Sequence, residues 1–232
     1  MQRRLLPSGF IAATLAALVC LPVRGDEITP PPELNKPPTA PTATRGGDSC
    51  SSEENPLTAI APSGTLITTT ADYPAFLFYI PETTASQAQF VIADSNGDIV
   101  HDTKVALPSQ PGIMRLNLSP EAASPITETG NPYRWELALI CDEFDRSGDE
   151  FLGGELRRVE VSSDIENKLE LAENSDRFSV LQEAGLGADA IAALDELRRE
   201  NPQDVEVQAL WEKWLRENGL EELVEMPSLG NR

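Results

Sequence analysis

One histidine, an acidic run and three cysteines are the side chains of this 232-residue chain with the most chemical reach. His101 stands beside Asp102, a pairing that could orient an imidazole, but neighbouring strand residues point to opposite faces, so the expectation is a solvated His near a turn. Counted from Glu143, oxygen donors fall at alternate places (Glu143, Asp145, Ser147, Asp149) with Gly148 in the turn position of a calcium loop. The place that should carry a bidentate Glu is Gly154, and no helices flank the run. The expectation is therefore a solvated acidic connection between two strands and no bound metal. Asp142 with Asp145 or Glu150, near Trp135, could serve as acid and base in a hydrolase or a sugar-active enzyme. With 38 acidic residues in the chain, chance proximity accounts for them better. No G-x-S-x-G, His-Glu zinc motif, phosphate-binding loop or dinucleotide fingerprint occurs. No enzyme activity and no cofactor are expected.

Composition narrows the partners. Against those 38 acids stand 18 basic residues, for a formal net charge of −20. Binding phosphates requires a basic face and counterion release, so a nucleic acid or an anionic membrane is not an expected partner.

The elements that must carry these residues follow from the order of the chain. Residues 1–25 read as a signal peptide: Arg3 and Arg4 lead an apolar stretch from Phe10 to Leu21, and Val23 and Gly25 precede a cleavage point. The stretch is shorter than the roughly 20 residues a bilayer span needs. Export to the periplasm or the extracellular space is thus expected, with no membrane span. Residues 26–49 form a proline-rich disordered linker that cannot bury enough surface to offset ordering. After signal removal Cys50 and Cys141 remain, and an even pair in an exported protein reads as a disulfide.

From 50 to 162 the period is two. Runs at Leu66–Thr70, Ala75–Ile80, Phe90–Ile92, Ile113–Leu118, Tyr133–Cys141 and Glu155–Val161 are punctuated by Pro and Gly, and Asn96-Gly97 signals a tight hairpin. These predict an antiparallel β-sandwich of immunoglobulin-like size. At Ser163 the period becomes 3.6, predicting a helical region over 163–224 and a flexible tail over 225–232. Ser163 and Glu166 suggest a capping box, Gly185 closes a second helix, Leu186, Ala190, Leu194 and Leu197 share one face of a third, and Asn201-Pro202 opens a fourth. The run from Ala188 to Asp204 resembles half of a tetratricopeptide repeat. Val207, Leu210, Trp211 and Trp214 repeat at helical spacing, and any Trp left outside the core would anchor a partner. The fold class expected is α+β in sequence blocks: the sandwich first, then a small helical, tetratricopeptide-like region.

Taken together, Cys50, Pro56-Leu57-Thr58-Ala59-Ile60-Ala61-Pro62, Tyr73-Pro74-Ala75-Phe76-Leu77-Phe78-Tyr79-Ile80-Pro81, Gln110-Pro111-Gly112-Ile113, Tyr133-Arg134-Trp135, Arg158-Val159 and the stretch from Ala184-Gly185 to Asn201-Pro202 carry a resemblance. The chain resembles a family of cyanobacterial exported proteins known only as domain of unknown function 928. The likeness departs at Gly187-Ala188 and at Gly153-Gly154, where family members tend to carry aromatic residues. It implies the compartment and the fold and supplies no catalytic residues. The functional expectation is an exported, non-catalytic binding or assembly module of the cell envelope, meeting a protein partner through its helical end or a sheet edge. The carboxylate enzyme above and a calcium-dependent adhesion module are the alternatives.

Overall fold

Residues 87–93 alternate half-buried and buried at every position, the mark of a strand with one face on a core. In the computed structural model, which describes residues 50–51, 55–62, 66–121 and 125–231, nine strands follow this logic to different lengths. They are β1 (Thr58–Ala59), β2 (Leu66–Thr69), β3 (Ala75–Ile80), β4 (Gln87–Ala93), β5 (Ile99–Ala106), β6 (Gly112–Asn117), β7 (Pro132–Leu139), β8 (Glu150–Arg158) and β9 (Ser228–Asn231). Four helices, α1 (Ser163–Leu171), α2 (Asn174–Glu183), α3 (Gly187–Glu200) and α4 (Val205–Glu217), lie between β8 and β9 in the chain. The expected signal peptide and proline-rich linker fall outside the described residues.

The strands form two sheets, ordered β1-β3-β6-β9 and β2-β8-β7-β4-β5. Inward side chains of both meet in one core: Phe76 of β3 lies 4.8 Å from Phe90 of β4, and Phe78 lies 5.6 Å from Trp135 of β7, measured between ring centroids. Most pairs are antiparallel, but β2 runs parallel to β8 and β6 runs parallel to β9. This corrects the expectation of antiparallel pairing throughout. Strand periodicity fixes which face is buried and says nothing about direction, whereas a parallel pair only needs a long crossover; the chain from β6 to β9, carrying all four helices, is one. The fold is mixed α/β, with two antiparallel-rich sheets of which eight strands precede the helices and the ninth follows them.

The helices cover the outer face of the four-stranded sheet. Leu77 and Tyr79 of β3 and Ile113 of β6, which point away from the first core, join Phe178, Leu194, Trp211 and Leu215 in a second one. The expected face of α3 is present, with Ala190, Leu194 and Leu197 buried and Leu186 buried at its N-cap. Gly185, at φ 73°, ends α2 as expected: Leu186 N–H donates to Leu181 O at 2.9 Å. Two caps differ from expectation. Ser162 is the N-cap of α1 without a side-chain bond, and Asp204, not Asn201, caps α4 by accepting from Glu206 N at 2.9 Å and Val207 N at 3.2 Å. Asn201 is instead the C-cap of α3, its Nδ2 donating to Leu197 O at 3.0 Å, and α4 begins only at Val205, directly after Asp204.

The tail also differs: Ser228–Asn231 is a strand, not a flexible end. Its approach rests on Gly112. A Cβ there would stand 2.6 Å from Pro227 O, the same carbonyl that accepts from Ile113 N at 2.8 Å. Three arginines reinforce the junction. Asp195 of α3, fully buried, accepts from Arg199 Nε at 2.7 Å, with Arg115 Nη1 of β6 at 3.5 Å and Arg198 Nη2 at 3.8 Å. Arg198 and Arg199 also donate to Ser228 Oγ and Leu229 O, fastening β9 to α3. Burial pulls the Arg198 guanidinium below the usual arginine range, against the opposing field of Asp195.

Candidate functional site on the outer face of the five-stranded sheet

Alternation places Arg134, Glu136 and Ala138 of β7 on the side opposite Tyr133, Trp135 and Leu137. Val91 and Ala93 of β4 and Phe151, Gly153 and Glu155 of β8 share that outer side, because the register sets Val91 against Glu136 and Gly153 against Glu136 on the other flank. Among the described residues no helix covers this face. A groove of about 610 Å³ runs over it, lined by Val91, Ala93, Arg134, Glu136, Phe151 and Gly153 among others. A smaller hollow of about 190 Å³ continues from it, sharing Val91, Glu136 and Phe151 and ending at Arg146 and Asp149. Those two are ion-paired, and Arg146 Nη1 also donates to Gln89 Oε1 at 3.3 Å. The surface thus offers a low floor of small residues, two larger apolar side chains and charges of both signs.

Gly153 and Gly154 make that floor. They read in sequence as strand punctuation, yet they stand inside β8, which begins at Glu150 rather than Glu155. Gly154 faces inward opposite Trp135, where a Cβ would lie 2.8 Å from the indole Cζ2. Gly153 faces the groove, and a Cβ on it would stand 2.8 Å from Trp135 O. Gly154→Ala is expected to lower stability by about 1–3 kcal/mol, the usual cost of overpacking a core. Urea unfolding followed by tryptophan fluorescence checks this; an unchanged midpoint means the indole has room to shift.

The calcium candidates are not brought to one centre. Asp145 accepts from Ser147 N at 3.0 Å, and the Ser147 hydroxyl and amide hold its carboxyl below the usual range. Asp149 accepts from Cys141 N at 3.1 Å and pairs with Arg146, while Glu143 is exposed. These oxygens close a tight acidic turn on its own amides. The carboxylates considered for acid–base work are similarly occupied: Asp142 accepts from Phe144 N at 2.8 Å and Glu150 from Ser51 N at 2.9 Å, and Trp135 lies between the sheets. Among the described residues, the side chains that converge in a metal-sized group are Cys50, Cys141 and Glu150, and the two sulfurs are bonded to each other.

That disulfide joins residues 91 apart at a Cα–Cα distance of 5.5 Å, as parity and compartment suggested. In the chain-entropy account, closing such a loop is worth at most about 4–5 kcal/mol. His101 is the reverse case. It is buried on the inner side of β5, 5.9 Å from the Phe90 ring, instead of solvated. The register with Ile92 turns position 101 inward, while Asp102 turns outward and accepts from Gln89 Nε2 at 2.8 Å.

Trp211 and Trp214 are not exposed anchors. They are 0 % and 3 % exposed, stacked at 6.5 Å, with Arg198 lying 4.1 Å over the Trp211 ring. The face they occupy serves α3, the sheet and the turn beyond α4, where Leu220 and Leu223 are also buried. Sequence reading missed the groove residues, although the outward positions of the Tyr133–Cys141 run were available from alternation alone.

A two-sheet body with helices on one outer face and an open groove on the other defines the class of protein. The family described as Domain of Unknown Function (DUF928) matches residues 40–228, and the chain belongs to that family. It matches no curated protein. Among the described residues no helix is long and apolar enough to cross a membrane.

Proposed function

We propose that the chain is an exported, non-catalytic binding module of the cell envelope whose contact surface is the outer face of the five-stranded sheet. The carrying observation is the asymmetry of cover: one sheet's outer face is packed under buried side chains of α2, α3 and α4, and the other holds a groove with a glycine floor. The occupant this surface suits is an extended segment of an envelope protein. Gly153 lets a second backbone come close, Phe151 and Val91 give apolar contact, and Arg134, Glu136 and Glu155 offer partners for charges of both signs. Export is supported by the leader-like first 25 residues and by a disulfide, which persists in oxidising compartments.

A photo-crosslinking residue placed at Glu136, and separately at exposed Glu170 on α1, tests the reading in native envelope preparations. The expected result is a discrete adduct from position 136 that disappears when Arg134→Glu is added, and none from position 170. Adducts from 170 alone overturn the assignment of this face.

A further inference from the structure

We propose that the hollow where α3, α4 and β9 meet is a binding site for a phosphate group, free or carried on an organic monoester. The hollow measures about 460 Å³ and is lined by Arg198 and Arg199 from the last turn of α3, Gln208 from α4, Ser228 and Gly230 from β9, and Pro202 from the turn between the two helices. No carboxylate lines it. In a chain with 38 acidic and 18 basic residues that is the exception: the two hollows on the sheet face hold Glu136 with Asp149 or Glu155, and the one between α2 and α3 holds Glu196 and Glu200.

Charge is unbalanced at this junction. Arg115, Arg198 and Arg199 surround one buried carboxylate, Asp195, and the second acid in reach, the exposed Glu196, stands 3.9 Å from Arg115. Arg198 and Arg199 therefore share Asp195, which leaves a guanidinium charge over. Their donors are in excess as well. Arg198 is 8 % exposed; its Nη2 donates to Ser228 Oγ, its Nε is buried without an acceptor, and among the described residues none accepts from Nη1. Arg199 bonds Asp195 through Nε and Leu229 O through Nη1, and its Nη2 is buried without an acceptor. Each fork thus carries N–H groups the protein does not satisfy, and a charge-assisted bond to an oxyanion answers both the charge and the donors. The Trp211 ring, 4.1 Å from the Arg198 guanidinium, holds that fork in place before any ligand arrives. Ser228 Oγ accepts from Arg198 and keeps its own proton to donate, and Gln208 supplies an amide. Donors reach the hollow from three elements, an arrangement that the oxygens of a tetrahedral phosphate can meet and the two coplanar oxygens of a carboxylate cannot. Gly230 has no side chain to keep the ligand from the strand.

Isothermal titration calorimetry of the mature full-length protein with inorganic phosphate at low ionic strength tests this. The expected result is one saturable site with a Kd of about 1 mM or tighter. Glycerol phosphate is titrated alongside: tighter binding than inorganic phosphate assigns the site to a monoester, weaker binding to the free ion. Gln208→Glu sets a carboxylate in the hollow at a half-buried position of α4, and should weaken binding about tenfold or more with the thermal melt unchanged. Arg177→Ala, which removes an exposed arginine of α2, should leave binding as it was. Acetate should bind about tenfold more weakly than phosphate, or less. No saturable binding up to roughly 10 mM phosphate overturns the proposal. So does a Gln208→Glu protein that binds like the parent, a loss of binding in Arg177→Ala, or acetate bound as tightly as phosphate.

Discussion

Trp211→Ala should cost about 3–5 kcal/mol of stability, the range for removing a large aromatic side chain from a packed core. The indole is fully buried where α4, α3 and the outer face of β3 and β6 meet, so its removal leaves a hole that neighbours on three elements cannot all close. It also takes away the surface on which the Arg198 guanidinium lies, at 4.1 Å, leaving a buried cation against a void. Trp211→Phe keeps a ring in place and should lose distinctly less. Val205→Ala, at the exposed start of the same helix, should change stability by less than about 0.5 kcal/mol. Urea titration with far-ultraviolet circular dichroism measures all three. A Trp211→Ala protein within about 1 kcal/mol of the parent would mean that the second core does not depend on α4.

Much of the strand content was legible because local pattern and local structure agree. Ala75–Ile80 is a strand to the residue, an apolar run bounded by Pro74 and Pro81. The hairpin at Asn96-Gly97 is where the dipeptide placed it, with Gly97 at φ 89° and Asp94 N–H bonded to Asp98 O at 2.9 Å. A second bond, from Asp98 N–H to Asp94 Oδ1 at 2.9 Å, is the main reason the Asp94 carboxyl sits below its usual range, so the turn is stabilised by the residue that opens it. Failures occur where a long-range neighbour decides. Gly153-Gly154 looks like a break until Trp135 stands opposite, and Ser228–Asn231 has no pattern of its own, its strand existing because β6 and two arginines receive it.

The site was less legible than the fold for a related reason. Spacing shows that Trp211 and Trp214 share a helix face but not how many elements press on it, and here a sheet, a helix and a turn leave neither ring for a partner. Acidic residues at calcium-loop spacing have no more claim to a metal than their geometry allows, and a turn that uses Asp145 and Asp149 for its own amides aims them elsewhere. The groove escapes notice because its main features are missing side chains. Glycines and alanines announce a surface only after the strands on either side have been set in register.

Asp195→Ala should be as damaging as any single change to this chain, again about 3–5 kcal/mol, because it leaves buried charge without its counterion. Asp195 is fully buried with three guanidinium groups around it, two from its own helix and Arg115 from β6 beneath. Coulomb attraction offsets the desolvation of these groups only while the carboxylate is present; without it, Arg115, Arg198 and Arg199 repel one another in a low-dielectric pocket. The consequences should spread along their other bonds, to Ala192 O, Ser228 Oγ and Leu229 O, so β9 should loosen first. Hydrogen exchange should therefore show Leu229 and Gly230 losing protection more than the strands of the five-stranded sheet. Asp195→Asn separates charge from shape: if the charge carries the effect, Asn should recover little of the loss. Since the group is buried, the deficit should persist at about 1 M salt, where exposed ion pairs are screened within about 3 Å. A deficit that salt removes would place the interaction at the surface, and an Asn variant as stable as the parent would show that hydrogen bonding alone holds α3 to β6 and β9.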